Sequence, residues 1–237
     1  MCTMELAIVV PVLNEVARIK PLMVALGRQR QVEFELVFSD GGSTDGTVES
    51  ARELAGPFGF PVRVIRGTPG RGVQLNRGAK AARADVLLFL HVDSRFDDPL
   101  TLRRSLDALQ TARQIHGDTL VAGHFRLRFN DAPEALLQAM RFWEIKARLH
   151  RFGCNHGDQG LMMVRRDFES LGGYPELMLF EDTLMAERIK EKGRLILLPA
   201  ELATSARRFA VEGLRQRHTL NAILMTCHCV GLEDFFR

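Results

Sequence analysis

Short runs of consecutive apolar residues alternate with stretches whose apolar positions recur every three or four residues. Residues 1–95 keep this alternation without a break. The unbroken runs are Leu6–Val10 (LAIVV) and Val86–Leu90 (VLLFL); Phe34–Phe38 and Val62–Ile65 read the same way, each interrupted by one charged residue, Glu35 and Arg63. Runs of this length, apolar on both faces, predict strands buried from both sides. Between them, Val16–Gln29, Val48–Leu54 and Val73–Ala82 carry helical spacing. The order β-α-β-α-β-α-β predicts an α/β fold with a parallel, doubly wound sheet. Pro11 is expected to stop the first ladder, because proline has no backbone donor.

Beyond residue 95 the pattern loosens. Pro99–Ile115, Ala135–Leu149 (with Trp143), Glu181–Glu191 and the stretch from Val211 onward read as helices. Leu120–Phe129, Leu161–Val164, Leu195–Leu198 and Thr204–Ala206 read as strands. Gly153–Gly160 is a polar loop and Gly172-Gly173-Tyr174-Pro175 a turn. Mixed strands and longer loops predict a half that shapes a pocket onto the first. Residues 1–237 are therefore expected to form one domain, with 1–95 binding a ligand and 96–237 completing the pocket.

Composition narrows the class. Of 237 residues, 46% are hydrophobic and 26% charged, as in an ordinary globular protein. The net charge of +3 suits an anionic ligand or a loose contact with a membrane surface, but is too weak to point to nucleic acid. No apolar run is long enough to span a bilayer, nothing resembles a signal peptide, and the expected compartment is the cytoplasm. The four cysteines, Cys2, Cys154, Cys227 and Cys229, show no disulfide framework. Cys227-His228-Cys229 has no second pair at finger-like spacing, so helical packing is expected there rather than zinc.

Candidate chemistry gathers in three loops that follow the first, second and fourth strands: Pro11–Glu15, Ser39–Gly46 and His91–Arg95. In a doubly wound sheet all three face the same edge and can line one crevice. Asp40 sits beside Gly41 and Gly42, which let a ligand approach the backbone closely. Its carboxylate reads either as an acceptor for base or ribose groups, or as part of a capped strand-to-helix turn with Ser43 or Asp45 as N-cap. The glycine-rich phosphate cradles of dinucleotide and P-loop sites are absent. A bound diphosphate would need another neutraliser. Asp93, at a strand end between His91 and Ser94, reads either as a ligand to a divalent cation or as a plain turn residue.

In order and spacing, Pro11-Val12-Leu13-Asn14-Glu15, then Ser39-Asp40-Gly41-Gly42-Ser43-Thr44-Asp45-Gly46-Thr47, then Gly72–Ala82 running into the strand and Asp93, resemble family 2 glycosyltransferases across essentially the whole chain. The resemblance implies a GT-A fold with a Rossmann-like, mostly parallel central sheet. It also implies a nucleotide-diphosphate-sugar donor, with UDP the expected nucleotide, and a divalent cation, Mn2+ or Mg2+. Pro11, Glu15 and Asp40 would line base and ribose, with Asn14 and Gly41 in the same site. Arg71 and Asn76 would lie beside the nucleotide. The family's Asp-x-Asp metal motif reads His91-Val92-Asp93 here. Asp93 matches the usual metal contact, and His91 stands as a second candidate ligand, softer than a carboxylate and suited to manganese.

An inverting transfer also needs a base on the acceptor side. Glu181-Asp182 opens a helix, and neighbours on a helix diverge by about 100°, so only one can face the sugar. The resemblance picks Asp182 as the base and leaves Glu181 to the acceptor; helix capping is the other reading. Asp158 and Gln159 resemble the family's acceptor-side loop. Arg207 and Arg208 fall near a basic segment of the family and read either as diphosphate contacts or as solvated surface. Arg215, Arg217 and His218 with Phe235-Phe236 could touch an anionic membrane surface. LFLHVDS and GGYPELMLFEDTLMAERIK resemble a compact bacterial subgroup associated with arsenosugar biosynthesis. Two other classes stay in view: a sugar-1-phosphate nucleotidyltransferase, and a non-catalytic nucleotide-sugar-binding protein.

Overall fold

A computed structural model describes residues 4–130, 133–147, 157–177 and 179–205, with positions 213, 216, 219, 223 and 226 beyond them. The fully apolar runs form the centre of the sheet. β1 (Leu6–Val12) pairs in parallel with β2 (Phe34–Asp40) and β4 (Val86–Phe89), and β2 pairs with β3 (Val62–Arg66). Alternate residues of β1 face opposite layers. Leu6, Ile8 and Val10 pack with Ile19, Leu22 and Met23 of α1 (Val16–Gly27). Ala7 and Val9 pack with Leu75 and Ala79 of α3 (Arg71–Ala81). Helices on both faces of a parallel sheet are the doubly wound arrangement that the pattern predicts. α2 (Thr47–Glu53) follows β2.

Pro11 does not end β1. The strand runs on to Val12, with Pro11 level with Ser39 and Val12 level with Asp40. Gly41 N donates to Val12 O at 2.9 Å and Leu90 N to Val9 O at 3.0 Å. Val12 therefore faces β2, and Pro11 faces the β4 side, where the ladder has already closed at Val9–Phe89. Its missing donor costs no ladder bond.

The second half completes a seven-stranded sheet in the order β3-β2-β1-β4-β6-β5-β7. After α4 (Thr101–His116) and β5 (Leu120–Asn130), α5 (Leu137–Lys146) leads to β6 (Leu161–Val164). β6 lies between β4 and β5 and runs antiparallel to both. α6 (Arg165–Ser170), which the apolar pattern does not announce, and α7 (Glu181–Lys192) precede β7 (Gly193–Ser205). β7 is one strand rather than the two short ones expected. Its register against β5 jumps between His124↔Leu197 and Arg126↔Glu201, and Pro199 sits in that irregularity on the sheet's edge, a place where proline is tolerated. Among the described residues no helix is long and apolar enough to cross a membrane.

Candidate functional site

The loops after β1 and β2 are laced together. Asn14 N donates to Ser43 Oγ (2.9 Å), Thr44 N to Asn14 Oδ1 (2.9 Å), and Glu15 N to Thr47 Oγ1 (2.8 Å). Asn14 makes both of its bonds from a left-handed conformation (φ 54°), which asparagine tolerates better than most residues. Asp45 accepts from the first N–H of two helices: its Oδ2 from Val16 N of α1 at 3.1 Å and its Oδ1 from Thr47 N of α2 at 3.0 Å. Thr47 Oγ1 also donates to Asp45 Oδ1, and that side-chain bond above all lowers the carboxyl pKa below its ordinary value. Glu15 turns its own carboxylate to Arg18.

Asp40 lies at the end of β2 with no exposure. Its carboxylate accepts from Gly42 N (2.9 Å) and Ser43 N (3.1 Å) and pairs with Arg66 Nε (3.2 Å). In this arrangement Asp40 organises the loop, and the surface it offers a ligand is the loop it holds. Gln74 joins the loops from below, donating to Val12 O (2.9 Å) and Ser39 O (2.7 Å). Gly41 packs on that amide so closely that a Cβ would come within 3.0 Å of it.

Arg71, the first residue of α3, lines a cleft with His91, Gln159, Tyr174 and Asp182. It pairs with Asp182 Oδ2 at 2.8 Å and Glu181 Oε1 at 3.2 Å, and touches His91 Nε2. His91 Nδ1 in turn meets Asp158 Oδ1 at 3.0 Å. One chain of charged and polar groups thus joins the β4 loop, α3, the loop before β6 and the start of α7. Burial lowers the Arg71 pKa, but Asp182, Glu181 and Asp158 together raise it above its ordinary value. Burial, reinforced by the Asp182 charge, pushes the Glu181 carboxyl up to about 7. Tyr174, sealed between Phe89 and Phe168, is raised well above its ordinary value by burial.

Asp182, with its side chain 17% exposed, lines the cleft together with Arg71, His91, Gln159 and Tyr174. Glu181, the residue before it, is 5% exposed and turned beneath the cleft wall, as the 100° helical step requires. The chain enters α7 through Phe180 in a left-handed conformation (φ 68°), a state a phenylalanine keeps only where its surroundings fix it.

Several expected ligands are already engaged. Asn76 does not lie open beside the β1 and β2 loops: its amide clamps the Tyr174 backbone, donating to O (2.9 Å) and accepting from N (2.8 Å). That clamp docks α3 on the Gly172–Pro175 turn, where a Cβ on Gly72 would stand 2.2 Å from Pro175 O. Gln159 lines the cleft but is almost fully buried, its Nε2 donating to Ala147 O (2.7 Å) and meeting His124 Nδ1 (2.8 Å). Asp158 keeps 43% of its side chain exposed. Both nitrogens of His91 are occupied, by Asp158 and Arg71, which leaves neither to a metal in this arrangement. Asp93 has no hydrogen-bond or ion-pair partner among the described residues. Among those residues no group of three or more His, Cys, Asp or Glu side chains is arranged to hold a metal ion. Arg207, Arg208, Arg215, Arg217, His218, Phe235, Phe236 and all four cysteines lie outside the described residues.

The sequence reading missed Gln74, Arg66, Arg77, His124 and Tyr174. Arg77 fixes the base of the β2 loop, donating to Asp40 O (2.7 Å) and Ser39 Oγ (3.2 Å). A signal existed for Gln74, which falls on the buried stripe of α3 between Arg71 and Gly78, where a lone polar residue asks for a reason.

The profile described as "Glycosyl transferase family 2" matches residues 7–172. The chain is 37% identical over 100 residues to the PGL/p-HBAD biosynthesis glycosyltransferase of Mycobacterium tuberculosis, covering 41% of this chain and 39% of that one. It is 30% identical over 181 residues to the succinoglycan biosynthesis protein ExoA of Rhizobium meliloti, covering 71% of this chain and 52% of that one. The chain thus spans about half the length of these curated relatives, or less. Among solved structures, S. aureus TarS 1–349 in complex with UDP superposes with a TM-score of 0.63 at 20% identity, over 86% of this chain and 61% of that one. The mannosyltransferase PcManGT from Pyrobaculum calidifontis, in complex with GDP-Man and Mn2+, gives 0.61 at 20% identity, over 84% and 56%. These likenesses establish the GT-A fold.

Proposed function

The chain belongs to glycosyl transferase family 2, and from that premise we propose that it is an inverting glycosyltransferase. It moves a sugar from a nucleotide-diphosphate donor to an acceptor hydroxyl held in the cleft. The observation that carries this reading is the Asp182 carboxylate on the cleft wall, oriented by Arg71 at 2.8 Å. The acceptor oxygen attacks the anomeric carbon on the face opposite the diphosphate. The anomeric C–O bond breaks with its electron pair leaving on the diphosphate, and Asp182 takes the acceptor's proton. Asp158, paired with His91 and partly exposed, stands on the side we assign to the acceptor or sugar hydroxyls.

A divalent cation, Mn2+ or Mg2+, would offset the charge of the leaving diphosphate. The unpartnered carboxylate of Asp93 at the sheet's carboxyl edge fits one ligand position of such an ion, whereas the doubly engaged His91 does not. Pro11, Asn14, Glu15, Asp40 and Gly41 form the nucleoside side through their shared loop frame. A nucleotidyltransferase would instead hold a triphosphate on a glycine-rich loop after β1, and Pro11–Glu15 has no glycine. The narrower acceptor class, that of arsenosugar biosynthesis, is supported by the sequence likeness of LFLHVDS and GGYPELMLFEDTLMAERIK alone. We also read the chain as one domain, because the sheet runs unbroken from β3 to β7 across both halves.

The test is nucleoside diphosphate release from UDP-sugars and from GDP-mannose, with Mn2+ or Mg2+. Release is expected with one donor class. Asp182→Asn should lower turnover by roughly 10²–10⁴-fold while calorimetry shows nucleotide binding retained. No release from any donor with either metal, or full activity in the variant, would overturn the reading.

A further inference from the structure

α5 has two faces of opposite character. Inward, Met140 is buried and the Glu144 carboxylate accepts from Phe129 N of β5 at 2.8 Å. Outward, Phe142 and Ile145 are each 61% exposed. At 100° per residue, Phe142 and Ile145 stand side by side near the centre of the outer face, with Arg141 on one flank and Lys146 on the other. Two large apolar side chains in water, bracketed by two long cationic ones, match a surface helix at a lipid headgroup boundary. There the apolar pair enters the acyl region and the cations stay with the phosphates. Among the described residues, the acids on and just before this helix do not cancel this: Glu144 is turned to the sheet, and Glu134 lies in the turn before the helix.

We propose that the outer face of α5 is a docking surface for an anionic phospholipid membrane. The commitment to a membrane rests on charge complementarity: the apolar centre is flanked by positive charge on both sides, on a chain of net charge +3. The surface is also mechanically tied to the cleft. Ala147, which caps the C-terminal end of α5, accepts a 2.7 Å bond from Gln159, a residue of the cleft wall. The assignment does not depend on which reaction the cleft performs.

The helix contains its own reporter. Trp143, the only tryptophan, makes an edge contact with Phe142 and lies under Lys146 Nζ, 4.5 Å from its ring. The full chain is mixed with phosphatidylcholine vesicles, with and without phosphatidylglycerol, at low and high salt. Sedimentation and Trp143 emission are followed together. Binding to the anionic vesicles, weakened by salt and accompanied by a change in Trp143 emission, is expected. Phe142→Glu with Ile145→Glu should weaken it at least about tenfold, and Arg141→Gln with Lys146→Gln should remove most of its salt dependence. Ile115→Glu, at an exposed apolar position on α4, should leave it unchanged. All are surface changes, and circular dichroism verifies the fold of each. Three outcomes would overturn the proposal: no vesicle binding by the parent chain, equal binding by the Phe142/Ile145 variant, or a concentration-dependent dimer lost in that variant. The second assigns the contact to another segment, and the third assigns the face to a second copy of the chain.

Discussion

A carboxylic acid withdrawn from water beside a second carboxylate resists ionisation, and Glu181 meets both conditions. Its pKa of about 7 in the folded protein stands above the ordinary 4.5. Between these values the folded chain holds a proton that the unfolded chain releases. The contribution to stability is therefore full below the ordinary pKa and is lost as pH rises through about 7. Its upper size is on the order of 3 kcal/mol. Glu181→Gln keeps the shape and cannot ionise, so it should flatten this part of the profile. Urea denaturation of both proteins across the window checks it: the parent should lose stability relative to the variant as pH climbs, and parallel curves would remove Glu181 as the source. Asp182, one residue on and open to the cleft, stands in a wetter place. Two adjacent acids are thereby given separate tasks by a single helical step.

At the level of elements, α3 is the part that joins the two sides of the site. Arg71 at its start reaches α7, Gln74 closes the carbonyl ends of β1 and β2, and Asn76 clamps the Gly172–Pro175 turn. Gln74→Leu keeps the bulk but leaves Val12 O and Ser39 O without a donor from α3. A loss of about 1–3 kcal/mol is expected, read as a lower urea midpoint at unchanged slope, with weaker nucleotide binding because both loops hang from those carbonyls. An unchanged midpoint would mean that water replaces the amide. The existence of α3 was legible because its period and its flanking strands agree. What Asn76 does was not, since its partner lies 98 residues away and no local pattern encodes it. The same limit explains the second half. Pro199 split β7 into two apparent strands because a bulge is invisible in a hydrophobic pattern, and the six residues of α6 are too few to show a period. In the site, Asp182 and Glu181 could be ranked by helical geometry plus the family's likeness. The engagement of both His91 nitrogens could not, because Asp158 and Arg71 reach it from different elements.

For the molecule as a whole, the first and second halves of the chain are interleaved in one sheet. β4, the strand that carries Asp93 just past its end, has β1 on one side and β6 on the other. β6 is Leu161–Val164, more than seventy residues after β4, and β5 is made before it. During synthesis, then, β4 presents a bare apolar edge until residue 164 has appeared, and β5 waits for the same strand. An open edge of this kind pairs with whatever strand it meets. Residues 1–95, expressed alone, should aggregate or recruit other chains through β4 instead of forming a small nucleotide-binding module, and light scattering on the purified fragment would show it. A soluble, monomeric, cooperatively melting fragment would mean that the halves are separable after all. If the edge is as exposed as the strand order implies, a chain broken anywhere before residue 164 releases a product that is sticky as well as inactive, and the cell must shield or degrade it.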